Sequence, residues 1–351
     1  MRLKRLRSWL MEQGADGVII TGRKNIHYYS GFRGSSGILV VSAKSEELIT
    51  DFRYISQAAV QAPDWAVRQC TGSPYNELAE FLQGKLEKWY FEGHQVSFFQ
   101  YQSLPVEDGR TYEPCDLDFL RQVKSPEEIE KIRKAAQIAD RAFGELLKWL
   151  TPGKKEREIQ IFLDYKMLEC GAERTSFPTI VGSGLNGALP HAVPGEREIQ
   201  VGDLVVIDFG AVYEGYCSDE TRTISIGKAS ERQKEIYQIV LKAQLAGLAA
   251  VRAGALNTEV DQVARKLIED AGYGEQFGHG LGHGVGLEIH EEPRFSPSAE
   301  PMPLAENMVM TIEPGVYLPE WGGVRIEDLV VVKKEGCEIL SSTTKELIEI
   351  F

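Results

Sequence analysis

The 351-residue sequence predicts two domains: an α/β N-terminal domain over residues 1–122, and an α+β domain with pseudo-two-fold halves over residues 123–351. Three observations predict it. Residues 1 to about 122 alternate short helical and strand patterns. The stretch VKSPEEIEKI then marks a boundary, with Ser125 as N-cap, Pro126 at the first helical position and Glu128 completing a capping box. Beyond it a helix pair recurs. Sliding the first pair by 101 positions lays Gly153 on Gly254, Glu158-Ile159 on Glu259-Val260 and Gly171 on Gly272, without a gap.

Leu3, Leu6 and Leu10 fall on one face of an amphipathic first helix. Its segment, MRLKRLRSWLMEQG, lacks the apolar stretch and small-residue cleavage site of a signal peptide. No apolar run approaches the ~20 residues needed to span a bilayer, so a cytoplasmic location is expected. DGVIIT, GILVVS, EELITD and KWYFE read as strands; RYISQAAVQA and PYNELAEFLQG read as helices. NIHYYSGFRGSSG reads as a polar, glycine-bearing loop, either reaching a ligand or only connecting elements. No phosphate-binding GxGxxG follows the first strand. In the second domain a long helix runs to about Leu150, where TPG breaks it. A second helix spans about Glu156 to Cys170 and is stopped by Gly171. SERQKEIYQIVLKAQLAGLAAV and TEVDQVARKLIEDAG repeat that layout. Two similar halves leave a natural cleft at their pseudo-symmetry axis.

Hydrophobic content of 43% and charged content of 26% are those of an ordinary globular protein. A formal net charge of -13 argues against a nucleic-acid partner, which requires a basic surface. Cys70, Cys115, Cys170, Cys217 and Cys337 are odd in number and widely spread, with no CxxC pair. They read as free thiols of a reducing cytoplasm rather than a disulfide framework or zinc-thiolate site.

Carboxylates in apolar, strand-like surroundings point to chemistry, because burying them is unfavourable without a compensating cation. Asp208 ends LVVID, a strand apolar on both faces. Asp219 follows the hairpin AVYEGYCSD, which brings it beside Asp208. Taken singly, each is also a strand-end or turn aspartate. His279 and His283 lie in GHGLGHGVGLEIH, whose alternating glycines are poor strand and helix formers and suit close approach to a ligand. His191, His279, His283 and His290, four of the six histidines, fall in this domain. Glu313 lies between MVMTI and Pro-Gly. Glu327 lies in VRIED with Arg325, either as an Arg–Glu ion pair or with Arg325 orienting a metal-binding carboxylate. Carboxylates with one histidine and no cysteine favour Mn, Mg, Co or Fe over structural zinc. Two such ions polarise a carbonyl and activate water near neutral pH.

At these residues, spread over five segments, the chain resembles the Xaa-Pro peptidases of the pita-bread metallopeptidase family, prolidase and aminopeptidase P, along its whole length. The resemblance implies a creatinase-type N-terminal domain and a pita-bread catalytic domain. It implies two divalent metal ions per chain, of manganese or cobalt type, with zinc or iron as alternatives. In this family pattern Asp208 binds one metal, Asp219 and Glu327 bridge both, and His283 and Glu313 complete the second. His290 matches the catalytic histidine near the scissile carbonyl, and His191 the histidine that contacts substrate. His279 lines the pocket. The implied reaction is hydrolysis of an Xaa-Pro bond by a metal-activated water. His290 or His191 stabilises the oxyanion, and Glu313 carries a proton to the departing proline nitrogen.

Arg294, in HEEPRFSP, matches an arginine of some microbial prolidases suited to pairing a product carboxylate; an exposed loop arginine is the plain alternative. It tilts the expectation towards a dipeptidase acting on short proline-containing peptides, with an aminopeptidase P acting on longer ones as runner-up. A metal-free creatinase-type amidinohydrolase and a non-catalytic binding module on the same fold would both have lost metal ligands, and none is lost here. Methionine aminopeptidases typically lack such an N-terminal domain. A homodimer is expected by analogy.

Overall fold

The apolar runs of the first 121 residues pair into one mixed sheet. A computed structural model describes residues 1–82 and 88–351 and divides the chain into two units, Met1–Arg121 and Gln122–Phe351. The first unit runs α1 (Arg2–Glu12), β1 (Gly17–Ile20), α2 (Arg23–Ser30), β2 (Ile38–Ser42), β3 (Glu46–Asp51), α3 (Ile55–Gln61), β4 (Ala66–Cys70), α4 (Pro74–Leu82), β5 (Lys88–Glu92), α5 (Phe98–Gln102) and β6 (Thr111–Cys115). Among the described residues its strands lie in the order β4-β3-β2-β1-β5-β6. β1 is buried along its whole length, as a central strand covered on both faces must be. Leu6 and Leu10 are the buried stripe of α1. Of the helix expected over PYNELAEFLQG, Gln83 and Gly84 lie outside the described residues.

Three features depart from the sequence reading. The first half of the expected loop, Asn25–Ser30, belongs instead to α2. No side chain of its own caps it. Instead Glu92, at the end of β5, accepts from the amides of Thr21 and Gly22, both at 2.5 Å. Gly31, at φ +80°, then ends the helix. β4 and β6, which the pattern does not reveal, are edge strands of exposed or half-exposed residues apart from buried Cys70, with Pro114 in β6.

The second unit contains α6 (Pro126–Trp149), α7 (Glu156–Glu169), β7 (Arg174–Thr175), β8 (Ile180–Ser183), β9 (Leu204–Phe209), β10 (Ala211–Tyr213), β11 (Tyr216–Cys217), β12 (Glu220–Ile226), α8 (Glu231–Ala250), α9 (Asn257–Asp270), β13 (Gly282–Gly284), β14 (Glu291–Phe295), β15 (Val309–Ile312), β16 (Gly315–Leu318), β17 (Gly322–Arg325), β18 (Asp328–Val332), β19 (Cys337–Ile339) and β20 (Ile348–Ile350). Ser125 and Glu128 close the capping box of α6. α7 and α9 are both 14 residues long and start 101 positions apart. Ile159, Leu163 and Met167 are buried on α7; their counterparts Val260, Ala264 and Ile268 are buried on α9. The preceding turns need glycine, with Gly153 at φ +88° and Gly254 at +85°.

Each helix pair backs its own sheet. α6 and α7 pack on Val205, Ile207, Phe209 and Ile224 of the sheet β20-β12-β9-β8. Phe143 stacks on Phe209 with ring centroids 5.0 Å apart. α8 and α9 pack on Met310, Ile312, Val330 and Val332 of the sheet β14-β13-β15-β18-β19. Fully burying side chains of this size contributes roughly 1.5–3 kcal/mol each, enough to give each half its own core. No helix among the described residues is long and apolar enough to cross a membrane.

Candidate metal centre

The acidic residues sit where the inner strands of the two halves end and return. Glu214 and Gly215, both at positive φ, turn the hairpin between β10 and β11. β9 and β12 then pair with Asp208 opposite Thr221, which leaves Asp219 one residue before β12. The second half repeats the device: Glu313 directly follows β15 and Glu327 directly precedes β18. Ligand atoms of Asp208, Asp219 and Glu327 lie within 4.8 Å of one another.

His283 enters on β13. Glycine-rich HGLGHGVG was expected to be poor strand, yet Gly282–Gly284 pair with β14 and β15. The glycines make room for protein rather than ligand: a Cβ on Gly282 would meet the Thr311 carbonyl oxygen at 2.1 Å. His283 Nδ1–H donates to the Gly284 carbonyl at 3.0 Å. Nε2 therefore presents its lone pair, 3.3 Å from Glu313 Oε1 and 3.5 Å from Asp219 Oδ2. Burial pushes this imidazole down to about 3, so it is neutral.

The surroundings press all four acids towards the protonated form. Burial raises Asp208, though Arg325 opposes the shift. Burial and then the neighbouring carboxylates Glu327, Asp208 and Glu313 raise Asp219 well above its ordinary value. Burial and then Glu313 and Asp208 do the same to Glu327. Glu313 is pushed up to about 7, mainly by burial. Asp208 Oδ1 and Glu327 Oε1 are buried and have no hydrogen-bond partner among the described residues. Acceptors facing acceptors need either protons or cations between them. The donor set, three to four carboxylates and one neutral imidazole, fits hard-to-borderline divalent cations and no thiolate-seeking one.

Arg325, read in the sequence as an orienting residue, holds this arrangement together with Thr221, Tyr317, Thr311 and Arg222, which the sequence pattern does not single out. Arg325 Nη2 donates to Asp208 Oδ2 at 2.6 Å, and its Nε to Thr221 Oγ1 at 3.0 Å. Thr221 in turn donates to Glu327 Oε2 at 2.6 Å. The direct Arg325–Glu327 pair considered from VRIED therefore does not form: β17 ends at Arg325, and the contact passes through Thr221. Tyr317 accepts from Arg325 Nη1 at 2.8 Å and donates to His279 Nε2 at 3.0 Å. Burial pushes His279 down to about 4, which keeps that nitrogen an acceptor. Thr311 accepts from the His283 amide at 3.0 Å and donates to Glu313 Oε1 at 3.1 Å. Behind the acids, Arg222 (1% exposed) donates to the Glu327 carbonyl and to Asp328 Oδ1.

One cavity of about 1480 Å³ is lined by all ten candidate residues. His290 is exposed in it, its ring centroid 4.5 Å from that of His283. His191 is exposed on the segment leading to β9 and lines the same cavity as Asp208, whose charge it neighbours. Arg294 is on a strand, not a loop: it sits on β14 opposite His283, its side chain 62% exposed and 3.2 Å from Glu292. Arg325 faces the cavity but spends its guanidinium on Asp208, Thr221, Tyr317 and the Pro190 carbonyl.

Known proteins carry the same arrangement of domains. The Xaa-Pro dipeptidase of Pyrococcus furiosus is 39% identical over 353 residues, covering 99% of each chain. The solved structure of an Xaa-Pro dipeptidase from Bacillus anthracis superposes with a TM-score of 0.95 at 41% identity, covering 99% of both chains. That of an X-Pro aminopeptidase from Thermotoga maritima MSB8 gives 0.92 at 39% identity, covering both chains completely. Residues 2–121 match the creatinase/prolidase N-terminal domain, and residues 130–334 match metallopeptidase family M24, so the chain belongs to that family of metallopeptidases and has its pita-bread catalytic fold.

Proposed function

We propose that the protein is an Xaa-Pro dipeptidase that holds two divalent cations, manganese or cobalt, on Asp208, Asp219, His283, Glu313 and Glu327. The observation that carries the proposal is the inward-facing cluster of acceptors, with buried Asp208 Oδ1 and Glu327 Oε1 lacking any donor. Two cations would balance about four carboxylate charges. When bound, they supply Lewis-acid polarisation of the scissile carbonyl and a more acidic water.

The chain's own groups do the rest. Arg325 and Thr221 hold Asp208 and Glu327 in place. His290 and His191, both on the cavity wall, donate to the carbonyl oxygen as negative charge develops on it. Glu313, beside the reacting bond, takes up a proton and passes it on. The recipient is the proline nitrogen, which has no hydrogen in the peptide and must gain one to leave. Arg294, projecting from β14, pairs with the free carboxylate of a C-terminal proline.

The relatives named Xaa-Pro dipeptidase support this substrate. The size of the cavity favours one alternative: about 1480 Å³ exceeds the roughly 300–1,000 Å³ of ordinary small-molecule sites, which leaves room for a longer peptide and an aminopeptidase P activity. The five free cysteines fit a reducing cytoplasm, and we assign the protein there as a homodimer. Turnover of Ala-Pro against Ala-Pro-Ala by protein reconstituted with manganese or cobalt tests the reading. A dipeptidase releases proline from the first and spares the second. Cleavage of the tripeptide at comparable rate makes the protein an aminopeptidase, and cleavage of neither removes both.

A further inference from the structure

Two polar residues are buried at corresponding places in the two halves of the second unit. Glu156 opens α7 and Asn257 opens α9; they are 0% and 2% exposed. In each half the preceding residue makes a lone β-bridge to a distant loop, Lys155 with Glu198 and Leu256 with Pro303. The buried side chains then reach across the same loops. Glu156 Oε1 accepts from the Ser183 amide at 2.8 Å, the Ser183 hydroxyl at 2.7 Å and the Asn186 amide group at 3.0 Å. Its Oε2 accepts from the Gly195 amide at 3.2 Å. Both ends of segment 183–195 thus close on one carboxylate. Asn257 donates to the carbonyls of Arg294 at 3.0 Å and Glu300 at 3.1 Å, and accepts from the Met302 amide at 2.8 Å. Both ends of segment 294–302 close on one amide.

Other holds on these segments are local. In the first, Leu185, Leu189 and Val193 are 60%, 58% and 86% exposed, while Ala192 is buried and Arg325 holds the Pro190 carbonyl. The second starts on β14, where Phe295 is buried. In the second, Pro297, Ser298 and Glu300 are exposed. Both line the cavity, the first with His191 and Val193, the second with Arg294 and Ser298. The acid cluster is carried by other elements.

We infer that Glu156 and Asn257 are paired positioning residues for substrate: each half uses the first residue of its second helix to hold one wall of the cavity. The inference rests on the reading of that cavity as a peptide site. The difference in residue type follows from the partners. Glu156 meets only N–H and O–H donors, which suits an acceptor-only carboxylate. Asn257 meets two carbonyls and one N–H, which only an amide satisfies.

That chemistry sets the test, because the isosteric exchanges Glu156→Gln and Asn257→Asp place like against like. Hydrogen exchange of manganese-loaded protein is expected to quicken in 184–195 for E156Q and in 295–302 for N257D, each leaving the other segment unchanged. KM for Ala-Pro should rise roughly tenfold in N257D with kcat unchanged. E156Q, whose wall carries His191, should lose kcat as well, and bound manganese should be unchanged in both. Asn186→Ala, which removes only part of the first set, should give a smaller effect of the same kind and serves if E156Q does not fold. Unchanged exchange in the held segments, or a loss of bound metal in either variant, overturns the inference. If wild-type protein cleaves no Xaa-Pro peptide, the peptidase reading falls, and the exchange results alone decide whether these residues hold the two walls.

Discussion

Glu156 and Glu327 are both buried glutamates of the second unit, in opposite surroundings. Glu156 has donors on both oxygens, from Ser183, Asn186 and Gly195. Glu327 receives one bond, from Thr221, while its Oε1 has none and its charged neighbours include Asp208 and Glu313. Protein that buries an acid for structure supplies the donors to satisfy it. The acid cluster is only partly supplied, with no donor on Asp208 Oδ1 or Glu327 Oε1 among the described residues, and the difference separates a site that holds the chain from a site that waits for a cation.

The contrast is broken most sharply by substitution. Glu327→Gln should lower Xaa-Pro turnover by about a thousandfold or more and reduce bound metal, because a carboxylate that would hold the cations becomes an amide. Metal-free E327Q should melt no lower than metal-free wild type, because the change removes a carboxyl whose charge is disfavoured by burial. Glu156→Gln should do the reverse: bound metal is kept, while stability falls by about 1–3 kcal/mol as donors lose their acceptor. Equal losses of stability in the two variants would erase the distinction.

Acidity sharpens it next. The folded-state values of Asp219, Glu313 and Glu327 are raised, that of Glu313 to about 7. A raised carboxyl contributes stability below its unfolded value and loses it as pH climbs through the folded one. His283 is depressed to about 3 and works in the opposite sense, but only below its ordinary 6.5. Between pH 6.5 and 8, metal-free protein should therefore lose stability as pH rises, by about 1.4 kcal/mol per pH unit for each proton released. Saturating manganese should reduce that slope to the part left by Glu220, a buried carboxyl outside the cluster that burial pushes up to about 8. Thermal melts that are flat or rising without metal over this range would contradict it. Thr221→Val should have the smallest effect, roughly tenfold weaker metal binding by calorimetry, because Glu327 and Arg325 lose their shared hydroxyl.

What could be read in the sequence was local or periodic. The capping box at Ser125, the repeated helices α7 and α9 and the Glu214–Gly215 turn that returns the chain beside Asp208 are each written in adjacent residues. Elements stabilised from afar were not legible. α2 is capped by Glu92, some 70 residues later, and nothing in Arg23–Ser30 announces it. Thr221 and Tyr317 look like ordinary strand residues until Arg325 arrives across the structure. The glycines of HGLGHGVG misled because their close neighbours are backbone and side chains of β14 and β15, which no local pattern shows.

The central claim is that the unsatisfied acids of the second unit are cation ligands. It is tested most directly by titrating manganese or cobalt into metal-free wild-type protein in a calorimeter at pH 7.5, in two buffers of different ionisation heat. Two ions bound per chain, with net release of protons from the raised carboxyls, is the predicted result. Binding of no ion, or binding without proton release, would contradict the account.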